Sequence, residues 1–195
     1  MNKQGKSPYS KSKNQGTIRI IGGKWRSRKI TVAGVEGLRP TTDRVRETVF
    51  NWLMPYISGS HCLDVCAGTG VLGFEALSRG AVRVDFVESN ATAANMLIEN
   101  AKALDIDVEV TRQSILDYLK ANQSNKSYDI VFVDPPFDLQ MHEQIFAELE
   151  KGNWLSSKAL IYCEKPRLNQ IKLPENWFWY KEKRNKNIEF GLLAY

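Results

Sequence analysis

The strongest constraint on the fold is a regular alternation of strand-like and helix-like segments between residues 62 and 163. Short apolar, β-branched runs are typical of buried strands, and longer segments with helical periodicity separate them. This alternation predicts an α/β protein with a mainly parallel sheet and right-handed crossovers. The predicted strands are 62–65, 82–87, 108–110, 129–133 and 159–163, followed by an antiparallel pair at 177–183 and 187–194. The predicted helices between them are 71–79, 90–104 (with Asn90 as a possible cap), 115–120 and 143–150.

The sequence Asp134-Pro135-Pro136-Phe137 follows the most apolar of these runs, 130–133. Neither proline can donate a ladder hydrogen bond, so the strand ends there, at the sheet edge where α/β proteins bind ligands. The Asp134 carboxylate and the Pro135 carbonyl are two acceptors that suit a planar NH2 group. Phe137 offers a flat face to a heterocycle, and base stacking on an aromatic ring is worth about 1–3 kcal/mol. The alternative is a strand-terminating turn in which Asp134 caps the next helix.

A glycine-rich loop follows the first strand of the alternating region. Residues 68–73 match G-x-G-x-x-G, and an acid that could accept from ribose hydroxyls, Glu88, lies about twenty residues further on. Asp64, just before the loop, would repel a pyrophosphate but attract an ammonium group, which favours S-adenosylmethionine (SAM) over NAD. Asp64 could instead be a structural acid bound to loop amides. The predicted cofactor residues are Asp64, Gly68, Gly70, Glu88, Gln113 and Ser114, of which the last two follow the third strand, where an adenine edge could be read.

The N-terminal quarter of the chain is strongly basic. Residues 1–50 carry 12 Lys and Arg against 3 Asp and Glu, whereas residues 51–195 carry 15 against 19. A basic front on a mildly acidic body suggests a polyanionic partner. We expect residues 1–16 to be disordered. Residues 17–21 and 28–32 predict a hairpin with a basic loop.

The loop of this hairpin and the start of the next helix are the predicted nucleic-acid contacts. Basic residues beside an exposed Trp25 fit phosphate contact plus base stacking in RNA or DNA, although Trp25 could instead pack on the main body. The next helix is expected to begin at an Asp43 cap and to end at Pro55 and Gly59. Its arginines form a possible anion site or are surface charges. The predicted substrate residues are Lys24, Trp25, Arg26, Arg28, Arg39, Arg44, Arg46 and Phe137.

Several functional classes receive no support from the composition. No apolar run approaches the length of a membrane span, and no apolar segment follows the N-terminal lysines, so we expect neither a membrane anchor nor a signal peptide. The three cysteines lack metal-ligand spacing and are expected to be reduced thiols in a cytoplasmic protein. His61 and His142 are isolated, and no metal site is expected.

Residues 63–70, Glu88 and residues 134–137 together resemble the class I SAM-dependent amino-methyltransferases. Three further stretches, 22–28, 37–47 and 73–80, resemble the RsmD family of 16S ribosomal RNA guanine-N2 methyltransferases, whose name specifies guanine 966. The resemblance implies a seven-stranded sheet with helices on both faces and a reversed last strand. It also implies SAM as donor and a guanine of an assembled or partly assembled small subunit as acceptor. Cys66 and Thr69 depart from the commoner Phe and Ser, but no glycine is lost.

We therefore expect a basic tail over residues 1–16, an RNA-contacting extension over 17–57 and a methyltransferase domain over 58–195, in a protein that is a monomer. Our hypothesis is that Asp134 and the Pro135 carbonyl accept both hydrogens of the amine, which localises its lone pair toward the donor methyl group. A base in a helix must be swung out to reach such a pocket. The rival functions are adenine-N6 methylation of DNA or RNA, an NAD-dependent oxidoreductase, and a non-catalytic RNA-binding assembly factor.

Overall fold

The computed structural model describes residues 16–34, 41–121, 126–136 and 141–195. Most of the predicted disordered tail, residues 1–15, lies outside the described residues, and so do two predicted substrate residues, Arg39 and Phe137. Gly16, the last residue assigned to that tail, is the first residue of a strand.

The chain begins with the expected hairpin, in which β1 (Gly16–Arg19) pairs antiparallel with β2 (Lys29–Val32). The remaining strands are β3 (His61–Asp64), β4 (Arg83–Val87), β5 (Glu109–Thr111), β6 (Tyr128–Val133), β7 (Leu155–Pro166), β8 (Phe178–Arg184) and β9 (Ile188–Ala194). The helices are α1 (Asp43–Ile57), α2 (Val71–Ser78), α3 (Ala91–Leu104), α4 (Ile115–Ala121) and α5 (His142–Lys151).

The main sheet has seven strands within the described residues, in the order β5-β4-β3-β6-β7-β9-β8. Strand β9 runs antiparallel to both of its neighbours, and the other pairs are parallel. The mainly parallel sheet with a reversed last strand is therefore confirmed. The strand order reverses between β3 and β6, and such a switch point is where an open α/β sheet binds its ligand.

The two faces of the sheet are both covered. Along β6, Ile130 and Phe132 belong to one buried hydrophobic cluster, and Val131 and Val133 belong to another. Successive side chains of a strand point to opposite faces, so this alternation means that apolar residues pack on each side. The hairpin joins the first cluster through Ile20, Trp25 and Ile30. The boundary predicted at residue 57 stays a prediction.

Helix α1 differs from its predicted ends. Thr42, not Asp43, is the N-cap, because its Oγ1 accepts from the Val45 amide at 3.4 Å. Asp43 instead forms part of the first turn and pairs with Arg46. Pro55 lies inside the helix, which continues to Ile57. Proline has no N–H to donate to the carbonyl of Asn51, but Asn51 is exposed to solvent and the helix ends two residues after Pro55. Asn90 caps α3 as predicted, its Oδ1 accepting from Thr92 and Ala93.

Strand β7 is longer than the predicted segment 159–163, since it begins at Leu155. The polar residues 156–158 gave no strand signal, and this first part of β7 joins the sheet through a register shift against β6. In the described part of the chain, no helix is long and apolar enough to cross a membrane.

Candidate active site

Asp134 stands immediately beyond the central strand β6, at the carboxyl edge of the sheet. Its Oδ2 accepts a hydrogen bond from the Thr41 hydroxyl at 3.2 Å. Thr41 is itself buried, and so is Pro135, whereas Pro136 is exposed. The side chain of Asp134 is therefore oriented by a residue that lies 93 positions earlier in the chain. The sequence alone did not identify Thr41 as this partner.

A second acid missed by the sequence analysis, Glu164, lies beside Asp134. Val133 pairs with Cys163 in the β6–β7 ladder, so the next residues along these strands, Asp134 and Glu164, are neighbours. The Glu164 carboxylate accepts from the Tyr162 hydroxyl at 2.8 Å. A signal for Glu164 was present, because it follows an apolar run in the same way that Asp134 does.

The surroundings of Asp134 disfavour its charge. Burial raises the pKa of the Asp134 carboxyl well above its usual range, the negative charges of Glu164 and Asp64 raise it further, and the Thr41 hydrogen bond lowers it. No lysine or arginine forms an ion pair with Asp134 or Asp64 among the residues described. A cationic ligand would relieve this excess of negative charge, and an anionic ligand would increase it.

The glycine loop between β3 and α2 adopts backbone angles that favour glycine. Gly68 has a φ of +50° and Gly70 a φ of +73°. A Cβ on Gly70 would overlap the Leu97 side chain and lie 2.8 Å from Cε2 of Phe74. A Cβ on Gly73 would overlap the Phe86 ring, because α2 packs closely on β4. These are the turn and close-packing roles expected of a nucleotide-binding glycine loop.

Asp64 is hydrogen-bonded to the backbone of this loop and of α2. Its buried carboxylate accepts hydrogen bonds from the backbone amides of Cys66 and Gly73. These are the loop contacts that the alternative interpretation of Asp64 required. Burial raises the pKa of Asp64 to about 7, the nearby charge of Glu88 adds to the rise, and the two amides oppose it. Contact of Asp64 with a cofactor ammonium stays a prediction.

Glu88 connects the loop to α3. Its Oε2 accepts from the Gly68 amide at 2.8 Å, and its Oε1 accepts from the Asn90 amide at 2.7 Å. An ionised carboxylate has about four lone-pair sites, so each oxygen can still accept from a ribose hydroxyl. The carboxylate is thus held rigidly beside the loop with acceptor capacity to spare.

Gln113 and Ser114 follow β5 at the same edge of the sheet. Gln113 is half-buried. The Ser114 hydroxyl donates to Oδ2 of Asp117 at 2.6 Å and accepts from the Asp117 amide at 3.3 Å, so it stabilises the start of α4. The Ser114 hydroxyl is therefore already hydrogen-bonded to Asp117. Contact of Gln113 and Ser114 with an adenine edge stays a prediction.

The structure contradicts the prediction of an exposed Trp25. Only 9% of its surface is accessible, its amide donates to Oγ of Ser78 at 2.9 Å, and its ring belongs to the main core. Gly23 allows this docking, because a Cβ there would overlap the Ser78 carbonyl. Trp25 therefore anchors the hairpin on α2, the alternative that the sequence left open, and its ring is not available for stacking on a base.

The hairpin loop also lies away from Asp134. The Lys24 amide donates to the carbonyl of Ser78, the last residue of α2. Because α2 starts at the carboxyl edge and rises about 1.5 Å per residue, its end lies about 10 Å nearer the opposite edge. Arg28 donates to the Ala103 carbonyl near the end of α3, at 2.7 Å. Lys24, Arg26 and Arg28 are exposed there, and their contact with RNA stays a prediction.

Arg46 is wrongly predicted as part of an anion site, because its side chain is fully buried. Its guanidinium donates to Asp43 at 2.7 Å, to Glu75 at 3.3 Å and to the Arg19 carbonyl at 3.0 Å. The buried Glu75 carboxylate pairs with both Arg46 and Arg79, so the inward-facing Arg46 belongs to a buried ion-pair network. Arg44, in contrast, is exposed and remains a candidate.

Comparisons with known proteins agree with this geometry. The model of a family described as conserved hypothetical protein 95 matches residues 18–193. A Haemophilus influenzae protein named ribosomal RNA small subunit methyltransferase D is 49% identical over 181 residues, or 91% of this chain and 94% of the relative. The Escherichia coli K12 protein of the same name is 45% identical over 179 residues, or 91% of this chain and 89% of the relative.

Solved structures are similar over most of the chain. The E. coli protein yhhF superposes with a TM-score of 0.85 at 40% identity, over 92% of this chain and 98% of that chain. SMU.776, solved in complex with S-adenosylhomocysteine, superposes with a TM-score of 0.72 at 16% identity, over 95% of this chain and 57% of that chain. The second likeness concerns the fold alone.

Proposed function

Because this chain belongs to the RsmD family, whose model is described as conserved hypothetical protein 95, we propose that it methylates the exocyclic N2 amine of one guanine in 16S ribosomal RNA. SAM is the methyl donor, and the small ribosomal subunit carries the acceptor. The family name supports the guanine and its nitrogen, and the relatives' names support small-subunit RNA.

The observation that carries the proposal is the position of Asp134 beside the glycine loop. The Val65 amide donates to the Phe132 carbonyl at 3.2 Å, so the start of the loop and the end of β6 are hydrogen-bonded neighbours. The Asp134 amide also bonds to the thiol of Cys66 within the loop. An acceptor pair for an NH2 group therefore lies next to the predicted cofactor site.

The residues at the site fit a cationic donor. Glu88 suits the ribose of either cofactor, but the Asp64 carboxylate directly before the loop would repel the pyrophosphate of NAD. Gly68 and Gly70 allow the backbone to approach the ligand, and Glu88 is rigid and retains free lone pairs. When bound, SAM supplies a methyl group activated by the positive sulfur. This charge balance supports a methyltransferase over an oxidoreductase.

The chain's own residues then act on the acceptor base. Asp134 accepts one N–H of the exocyclic amine, and the Pro135 carbonyl accepts the other, so the amine's lone pair points away from both acceptors. Thr41 keeps the Asp134 carboxylate in place for this contact. Positioning of this kind lowers the barrier without a strong base. After the amine nitrogen gains the methyl group, its surplus proton leaves through the Asp134 carboxylate to water.

The test is methyl transfer from labelled SAM to purified small subunits that lack the modification, with naked 16S RNA in parallel. The product is digested, the methylated base is identified and its position is mapped. We expect N2-methylguanine at one position of the small-subunit RNA. Labelled N6-methyladenine, or transfer to no RNA by a protein that binds SAM, would refute the proposal.

A further inference from the structure

A group of basic side chains outside the predicted RNA-binding residues lies at the same sheet edge as Asp134. We define this cationic rim as Arg167, Lys183, Arg184 and Lys186, and all four residues are exposed. Arg167 directly follows β7, and the other three residues end β8 or lie in the turn that joins it to β9. None of the four is assigned a role in methyl transfer.

The strand register locates the rim relative to Asp134. Glu164, which is level with Asp134, pairs with Phe190 of β9, and Phe190 pairs with Lys183 of β8. Lys183 is therefore level with Asp134 and three strands away. At about 4.8 Å between strands, the two backbones are about 14 Å apart. That span corresponds to about four nucleotides of a stacked strand, at roughly 3.4 Å for each.

Hydrogen bonds stabilise the turn between β8 and β9 that carries part of the rim. Asn185 Oδ1 accepts from the Asn187 amide at 2.8 Å and from the Ile188 amide at 3.0 Å. The Arg167 amide donates to the Asn187 carbonyl at 3.0 Å, which ties the turn to the end of β7. A groove of about 500 Å³ runs beside this junction, with Arg167 and Trp179 among its lining residues.

The charges of the rim are not neutralised locally. Over residues 16–34, 41–121, 126–136 and 141–195, no salt bridge involves any of the four rim residues. Glu189, the acid closest along the β9 strand, is paired with Lys165 at 2.9 Å. Glu182 is exposed and lies next to Lys183. The rim therefore keeps a net positive charge at the sheet edge where Asp134 lies.

We propose that the cationic rim binds backbone phosphates of the RNA strand on one side of the target base. This inference rests on the proposed function, since it assumes RNA as the substrate. Together with Arg44 near the start of α1, the rim would place positive charges at the sheet edge that carries Asp134. The hairpin loop lies too far from that edge to do so. Phosphate contacts of this kind position the nucleic acid without reading its sequence.

A simpler role for the same charges is protection of the exposed edge strand β8 from pairing with another sheet. Two variants separate these roles. In K183Q/R184Q/K186Q the positive charge is lost, and in K183E/R184E/K186E the edge stays charged with the opposite sign. If the charges only protect the edge, the glutamate variant should bind RNA as the wild type does. If the charges bind phosphates, the glutamate variant should bind RNA more weakly than the glutamine variant does.

The matched control is K120Q/K151Q/K158Q, which removes three exposed charges near the opposite edge of the sheet. For each protein, affinity for unmodified small subunits is measured over a range of salt concentrations, together with kcat, KM, SAM affinity and thermal unfolding. A single variant, R184E, is included in case a triple variant does not fold.

We expect the glutamine rim variant to bind small subunits about tenfold or more weakly than the wild type, with a salt slope shallower by about 2 to 3 for three lost contacts. KM should rise while kcat, SAM affinity and the control variant stay at wild-type values. If the rim variants match the control in affinity and salt slope, this inference is wrong and the proposed function stands. If the wild type binds subunits but methylates no RNA, the proposed function fails, and the binding comparison still tests the rim.

Discussion

SAM should bind more tightly as pH rises through the pKa of Asp64. Burial, with the charge of Glu88, raises this pKa to about 7, so the ligand-free protein holds a proton that a carboxyl in water would have lost. If the ionised carboxylate faces the SAM ammonium, as we propose, binding must expel that proton. Asp134 has a raised pKa as well, so the experiment uses Asp134→Asn, which removes the titration of that second carboxyl.

The size of the effect follows from the pKa. At pH 7 about half of the Asp64 carboxyls are ionised, and at pH 5 about one in a hundred. Below pH 7 the Kd for SAM should therefore rise about tenfold per pH unit, and at pH 5 it should be about a hundredfold higher than for the fully ionised carboxylate. Each tenfold step is about 1.4 kcal/mol. Near pH 8 the gain in affinity should end, because the carboxylate is then ionised before binding and the SAM ammonium itself begins to lose its proton.

The stability of the ligand-free protein should change in the opposite direction. The folded chain binds the Asp64 proton more tightly than the unfolded chain does, so this contribution is fully present below about pH 4 and is lost as pH rises toward 7. A pKa raised from 3.8 to about 7 corresponds to at most roughly 4 kcal/mol of unfolding free energy.

Isothermal titration calorimetry in two buffers of different ionisation enthalpy measures both quantities, the affinity and the protons released. We expect release of about half a proton at pH 7. The control is the same titration with Asp64→Asn added, which should make the affinity independent of pH. Equal Kd values at pH 5.5 and pH 8, with no proton released, would refute the proposed contact between Asp64 and the donor.

Two further substitutions test how the site is built. Gly70→Ala should weaken SAM binding and lower the free energy of unfolding by more than the roughly 1–2 kcal/mol that a left-handed backbone costs an alanine. Gly59→Ala, at a similar φ but with open space around its Cβ, should cost only that backbone strain. Equal losses in thermal unfolding would contradict the packing argument. Glu75→Gln should cost about 3–5 kcal/mol in denaturant unfolding, because it removes the buried anion that pairs with both Arg46 and Arg79, while the exposed Glu99→Gln should cost less than about 1 kcal/mol.

The general architecture was predictable because its signals are local. Alternating strand and helix patterns dictate a parallel sheet, and prolines after β6 end that strand beside the glycine loop. Asp64, Glu88 and Asp134 consequently lie at one edge, where sequence reasoning expected them. The cap at Asn90 was predictable for the same reason, since its partners are two and three residues away.

The wrong predictions depend on contacts between distant parts of the chain. Whether Trp25 is exposed depends on Ser78, and the orientation of Arg46 depends on the buried Glu75. Thr41 was not assigned a role because its partner Asp134 is far away in sequence. Sequence patterns identify which residues are basic or aromatic, but packing between elements decides whether those side chains meet solvent or the core.

The most direct test of the account is the single-turnover rate of methyl transfer by Asp134→Ala and Asp134→Asn on unmodified small subunits, with SAM binding measured in parallel. We predict that both variants still bind SAM and that transfer slows by about a hundredfold or more, the size typical of losing an oriented electrostatic contact to the reacting group. A rate near that of the wild type in Asp134→Ala would contradict the claim that this carboxylate holds the acceptor amine.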